Sequence, residues 1–303
     1  MKFNRKMALF ITLLFFWSSV SYSFVDYFQM RPGKKKGELF NNCKVVFGDA
    51  GFVRATKEFH IKLPLLERFK ATFKRDSVKK KEHLRYYLRP VKGKKGYLIY
   101  YHGSARSACT NVVEILPNLK DLPLNVAIIE YPGYGGDTVK GHPSEARILV
   151  NALDMYDEIK KINSKKLPII IYGGSMGTTI ATYVASKRDA SGLILRNPMT
   201  SMEEAAHEIF KKMGKKGKKF ISKFMKSKFK SVDWAPNVKA PTLILHAQDD
   251  EWVPLAMARR LAGKFKSDLK FVEIVGGKHM TNHTFPQYKK EIQHFIKGIM
   301  KVK

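Results

Sequence analysis

Six short apolar runs, separated by segments of helical period, constrain this chain more than any other feature. They read GYLIYYHG, NVAIIEYPG, LPIIIYGG, GLILRNP, APTLILHAQ and LKFVEIVGG. Each is too short for an ordinary helix, and most end at glycine or proline, as strands buried on both faces do. The intervening segments fit helices. Residues 109–120 bridge the first two runs. After Pro143, the positions Ala146, Leu149, Val150 and Leu153 fall at i, i+3, i+4 and i+7, one face of a helix. MGTTIATYVASK follows the third run, and Ile292, Phe295, Ile296 and Ile299 repeat the helical spacing near the end. Alternation of this length predicts one mostly parallel α/β sheet with helices on both faces. A chain of 303 residues, 44% hydrophobic, has the apolar content to bury a core of that size.

The rhythm opens and breaks in identifiable places. ERFKATFKR and HLRYYLRP read as an opening strand pair, so the domain is expected to run from 67 to 303. Residues 24–66 read as an irregular basic extension. Residues 203–233 form an insertion in which Phe210, Met213, Phe220, Phe224, Met225 and Phe229 alternate with lysines. It is either a helical hairpin with its apolar side on the domain, or a lid that meets an anionic membrane or a lipid-like substrate. At the start, Lys2, Arg5 and Lys6 precede an apolar run from Met7 to Val20, and Ser21 and Ser23 supply small residues. Residues 1–23 therefore read as a secretory signal peptide or a membrane anchor. The two cysteines, Cys43 and Cys109, do not make a disulfide framework. No CxxC or HExxH pattern is present, so the sequence implies no metal or organic cofactor.

The third strand runs directly into Gly173-Gly174-Ser175-Met176-Gly177. This matches G-x-S-x-G, a pattern that arises by chance in roughly one chain of this length in ten. Its context is more specific, because strand, serine turn and helix are what a nucleophile elbow requires. Such a serine needs a base, and the base needs an orienting acid. In the α/β hydrolases, whose elbow this stretch resembles, acid and histidine follow the nucleophile in chain order. Beyond the strand TLILHA stand Asp249 and Asp250, and beyond KFVEIV stands GGKHM with His279. Both lie where open α/β sheets keep their sites, past the carboxyl ends of strands. His279 is the expected base, with Asp250 or Asp249 as its partner. His283 is the rival, farther from its strand, while His207 and His246 are poorer candidates. An oxyanion needs two backbone donors. The expected pair is the N–H of Met176 and the N–H of Ser104, in the His102-Gly103-Ser104 loop after the first run.

These motifs together resemble the α/β-hydrolase superfamily. Within it they resemble the membrane-anchored subgroup related to the yeast bud-emergence protein and the human α/β-hydrolase-domain proteins. YYHGSA stands at an aromatic-HGNA motif, and EYPGYGGDTVKGHPSE at a YRGYGxSxGxPSE segment. NPMTSMEEAA is similar to PFTSM, and APTLILHAQDDEWVP to APTLILHGxxDxxVP, which places the acid at Asp250. GGKHM occupies the place of GxHN. Ser104, Pro132, Ala247 and Met280 depart from the pattern, none of them in the triad. The resemblance implies the α/β-hydrolase fold and a serine hydrolase acting on a carboxyl ester, thioester or lipid ester.

Charge widens the choice of partners. With 56 basic against 26 acidic side chains, the formal net charge is +30, which favours anionic surfaces. A small-molecule or lipid-like acyl substrate and an anionic membrane are the expected partners, ahead of nucleic acid. A serine peptidase on the same scaffold and a non-catalytic basic module are the alternatives. The N-terminal segment places the protein outside the cytoplasm or on a membrane.

Overall fold

The computed structural model describes residues 53–60, 81–104, 107–132, 134, 144–209, 225 and 227–301. The proposed targeting segment and Cys43 lie outside them. Eight strands form one sheet: β1 (Val53–His60), β2 (Lys81–Arg89), β3 (Gly96–Tyr101), β4 (Leu124–Glu130), β5 (Ile169–Gly174), β6 (Gly192–Arg196), β7 (Thr242–Ala247) and β8 (Leu269–Ile274). Their order is β1-β2-β4-β3-β5-β6-β7-β8. β1 pairs antiparallel with β2 and β2 antiparallel with β4. Every other pairing is parallel. The six apolar runs therefore became six adjacent parallel strands, as their two-sided apolarity demands.

The described helices are α1 (Ala108–Leu119), α2 (Glu145–Ile162), α3 (Met176–Lys187), α4 (Met202–Ile209), α5 (Ser231–Trp234), α6 (Leu255–Ala262) and α7 (Pro286–Lys301). They cover both faces of the sheet. On one side Ile148, Met155 and Ile159 of α2 and Ile180 and Val184 of α3 pack on Ile99, Ile129, Ile171 and Leu195. On the other, Ile115 and Leu119 of α1 and Ile292 and Ile296 of α7 pack on Leu98, Ile128, Ile170, Ile194 and Leu243. Alternate residues of each strand thus enter opposite cores.

One expectation changes, and two fall outside the described residues. Residues 53–60 are a strand, so the sheet begins inside the segment read as an irregular extension. VRATKEFH places charges between its apolar residues, and the lack of a continuous apolar run concealed this edge strand. The expected first strand at 67–75 lies outside the described residues. So does most of the insertion, from 210 to 224 and at 226. Its return is described: Met225 and Phe229 are buried in the α2/α3 core. Glu145 at the start of α2 fastens it, accepting from the N–H groups of Lys228 (2.7 Å) and Phe229 (3.1 Å).

Candidate active site

Parallel strands of one sheet end along one edge, so the turns after β3, β5, β6, β7 and β8 converge without long-range design. Ser175 stands between β5 and α3 at φ 53°, ψ −123°. A non-glycine residue there costs on the order of 1–3 kcal/mol and persists only where its surroundings fix it. Three features fix it. The Ser175 N–H donates to the Arg196 carbonyl of β6 at 2.9 Å. Its own carbonyl accepts from the Thr178 N–H at 2.9 Å and the Thr178 hydroxyl at 2.6 Å. The neighbouring glycines admit the crossing backbones. A Cβ at Gly173 would lie 2.4 Å from the Gly177 carbonyl oxygen, and one at Gly177 only 2.0 Å from that of Tyr101.

Ser175 is partly exposed, whereas the side chains behind it are buried. His279 Nε2 lies 3.0 Å from Ser175 Oγ, and His279 Nδ1 lies 2.7 Å from Asp250 Oδ2. The Asp250 carboxylate can only accept, so Nδ1 donates to it and Nε2 is left to accept the serine proton. The second oxygen, Oδ1, accepts from the N–H groups of Trp252 (2.9 Å) and Val253 (2.7 Å), which holds the carboxylate plane. The Trp252 ring covers the His279 ring, with centroids 4.8 Å apart and planes inclined by 31°.

Asp249 takes no part in this relay; it is exposed, and its N–H donates to the Gly277 carbonyl. His283 is directed elsewhere, its Nδ1 3.3 Å from Arg196 Nη1. His246 is buried inside β7, with Nε2 2.9 Å from the Val253 carbonyl. Burial holds its pKa below the ordinary histidine value, against the pull of the Asp250 carboxylate, so it is a neutral donor beneath the acid.

The turn after β3 reaches the same point. A Cβ at Gly103 would be 3.3 Å from Ser175 Cβ, which brings the Ser104 segment against the elbow. Met176, the first residue of α3, has an amide at a helix N-terminus, where positive partial charge collects. His102 stacks on Tyr131 at 4.1 Å, and its Nε2 lies 3.6 Å from Glu130 Oε1. Glu130 Oε2 accepts from the Ala108 N–H at 3.1 Å, joining this loop to the start of α1.

Sequence reasoning missed the groups beneath the site. Arg196 and Glu114 form a buried pair at 3.0 Å, beside Tyr100 and the mutually bonded hydroxyls of Tyr172 and Tyr288. A polar residue closing an apolar strand, as in LILRNP, was the available signal. Among the described residues, no group of three or more His, Cys, Asp or Glu is placed to hold a metal ion.

A parallel sheet carrying a strand-serine-helix elbow, with an acid and a histidine after its later strands, defines the α/β-hydrolase fold. Solved structures agree with that architecture. An esterase of Pyrococcus furiosus superimposes with a TM-score of 0.62 at 14% identity, covering 84% of this chain and 93% of its own. Est1E from Butyrivibrio proteoclasticus gives 0.58 at 20% identity, covering 73% and 96%. The chain has the α/β-hydrolase fold. The family model described as "Serine aminopeptidase, S33" matches residues 92–234. Among curated relatives, the lysophosphatidylserine lipase ABHD12 of Macaca fascicularis is 32% identical over 177 residues, which is 54% of this chain and 44% of that protein. The Caenorhabditis elegans α/β-hydrolase domain-containing protein aho-3 is 26% identical over 211 residues, 69% and 60% respectively. The chain thus spans about half the length of the curated relatives it matches.

Proposed function

We propose that this protein is a serine hydrolase that cleaves a lipid-like carboxyl ester through an acyl-enzyme. The continuous relay Ser175 Oγ–His279 Nε2 (3.0 Å) and His279 Nδ1–Asp250 Oδ2 (2.7 Å) carries the reading. Ser175 Oγ attacks the ester carbonyl carbon while His279 Nε2 takes the hydroxyl proton. The tetrahedral oxyanion is stabilised by the amides of Met176 and Ser104. The intermediate collapses, the C–O bond to the leaving group breaks, and imidazolium returns the proton to the departing alkoxide. Water, deprotonated by the same nitrogen, then splits the acyl-serine to carboxylate and free Ser175. Asp250 holds the imidazole tautomer throughout and stabilises its positive form.

The lipid-like substrate rests on relatives named as a lysophosphatidylserine lipase and on the aromatic, lysine-rich composition of the insertion. A thioester would be cleaved by the same steps. The charge of +30 supports work at an anionic membrane surface, reached by an N-terminal segment that exports or anchors the chain. No described helix is long and apolar enough to cross a membrane. The family model's description favours a second reading, an aminopeptidase with the same nucleophile.

The decisive experiment is a panel of short-chain ester, thioester, lysophospholipid and aminoacyl-amide substrates, run on wild type and Ser175→Ala. Ester turnover lost in Ser175→Ala, with fluorophosphonate labelling confined to Ser175, is the expected result. Amide turnover dependent on a free amino group would transfer the assignment to the peptidase. Wild type left unlabelled while folded would remove the nucleophile altogether.

A further inference from the structure

The nucleophile, acid and base come from three different loops, and one residue outside them is bonded to two of these. Asn197 follows β6, the strand between the elbow strand β5 and the acid strand β7. Its side chain is buried, at 1% exposure. The Nδ2 group donates to the main-chain carbonyl of His279 at 3.0 Å. The Oδ1 atom accepts from the Ala247 N–H at 3.0 Å, at the end of β7 where the acid loop begins, and from Asn282 Nδ2 at 2.8 Å. The residue before it completes the set, since the Arg196 carbonyl receives the Ser175 N–H. Two consecutive residues therefore hold the elbow, the acid loop and the base loop.

The backbone at Asn197 shows what this arrangement requires. Its φ is +50°, and its N–H donates to the Leu245 carbonyl at 2.9 Å. Asparagine is among the few side chains that adopt this conformation readily, and its amide supplies a donor and an acceptor on one short stem. The left-handed turn keeps the main chain bonded to β7 while the side chain serves the loops after β7 and β8.

We infer that Asn197 is a positioning residue, fixing the distance between His279 and Asp250 and hence the direction of Nε2 toward Ser175. The inference rests on the serine-hydrolase reading for its kinetic consequence, and on geometry alone for its structural one. Loss of the amide should leave substrate binding intact and slow the chemical step, because small displacements of a base cost turnover far more than affinity.

A matched control exists in the same molecule. Asn163, also buried, clamps Leu167 through both amide atoms, at 2.7 Å and 3.0 Å, at the opposite edge of the sheet. Asn197→Gly and Asn163→Gly each remove a buried amide, and glycine accepts the positive φ at 197 without strain. Both should lower the thermal midpoint. Only Asn197→Gly should lower kcat, by about 10- to 100-fold, with KM within about threefold, and only it should lose the low-field proton resonance of the His279–Asp250 bond. Retention of that resonance in Asn197→Gly, or a kcat no lower than that of Asn163→Gly, would overturn the inference. If wild type hydrolyses no ester and takes no fluorophosphonate, the hydrolase reading falls, and the resonance comparison still decides the role of Asn197.

Discussion

At the scale of single residues, adjacent carboxylates with opposite surroundings separate a role in the site from mere proximity to it. Asp250 is buried and accepts hydrogen bonds at both oxygens, whereas Asp249 is exposed and its amide bonds the Gly277 carbonyl. Asp250→Asn should therefore reduce kcat/KM by about 10³- to 10⁴-fold, and Asp249→Asn by less than about threefold, as steady-state ester hydrolysis would measure. His246, directly beneath, sets a pH limit on the fold. Its pKa is depressed in the native state, so the unfolded chain binds the proton more tightly. This part of the stability is present above the ordinary histidine value and is lost as pH falls below it. The thermal midpoint should fall with acidification from pH 7 to 5, and His246→Gln should flatten that dependence. Glu114 faces Arg196 in a buried pair. Glu114→Ala, leaving the guanidinium without its carboxylate, should cost about 3–5 kcal/mol in denaturant unfolding.

At the scale of elements, the glycines of the elbow and of the last helix make a clear contrast. A methyl group added at Gly177 would stand 2.0 Å from the Tyr101 carbonyl oxygen, where backbone meets backbone. Gly177→Ala should therefore fail to fold, or lose more than about 3 kcal/mol. Gly298, inside α7, has nothing within 4 Å of the added carbon. Gly298→Ala should raise stability by about 0.5–1 kcal/mol, which chemical denaturation would resolve. Most of this layer was legible in the sequence, because buried parallel strands are apolar throughout and helices such as α3 and α7 keep their period. The triad candidates were legible for a related reason: Ser175, Asp250 and His279 each follow a strand whose end the sequence marks. What escaped notice depended on contact between distant segments. Nothing near Asn197 in the chain announces bonds to Ala247 and His279. Strand β1 escaped because VRATKEFH sets Arg, Lys and Glu among its apolar residues and lacks the continuous apolar run that marks the other strands.

At the scale of the whole molecule, a net charge of +30 is a field that the compact state must contain. Raising ionic strength from about 0.01 M to 0.15 M shortens the screening length from about 30 Å to about 8 Å. The thermal midpoint should rise over that range, where a neutral fold of this size would change little. Against that adjustable background, the contact between α3 and the turn after β3 allows no adjustment. The missing side chain at Gly177 lets a helix rest on the Tyr101 and His102 carbonyls, so the elbow and the Ser104 turn are seated together before any substrate arrives. Reaction of Ser175 with a small fluorophosphonate should therefore begin without a lag, as continuous labelling kinetics would measure.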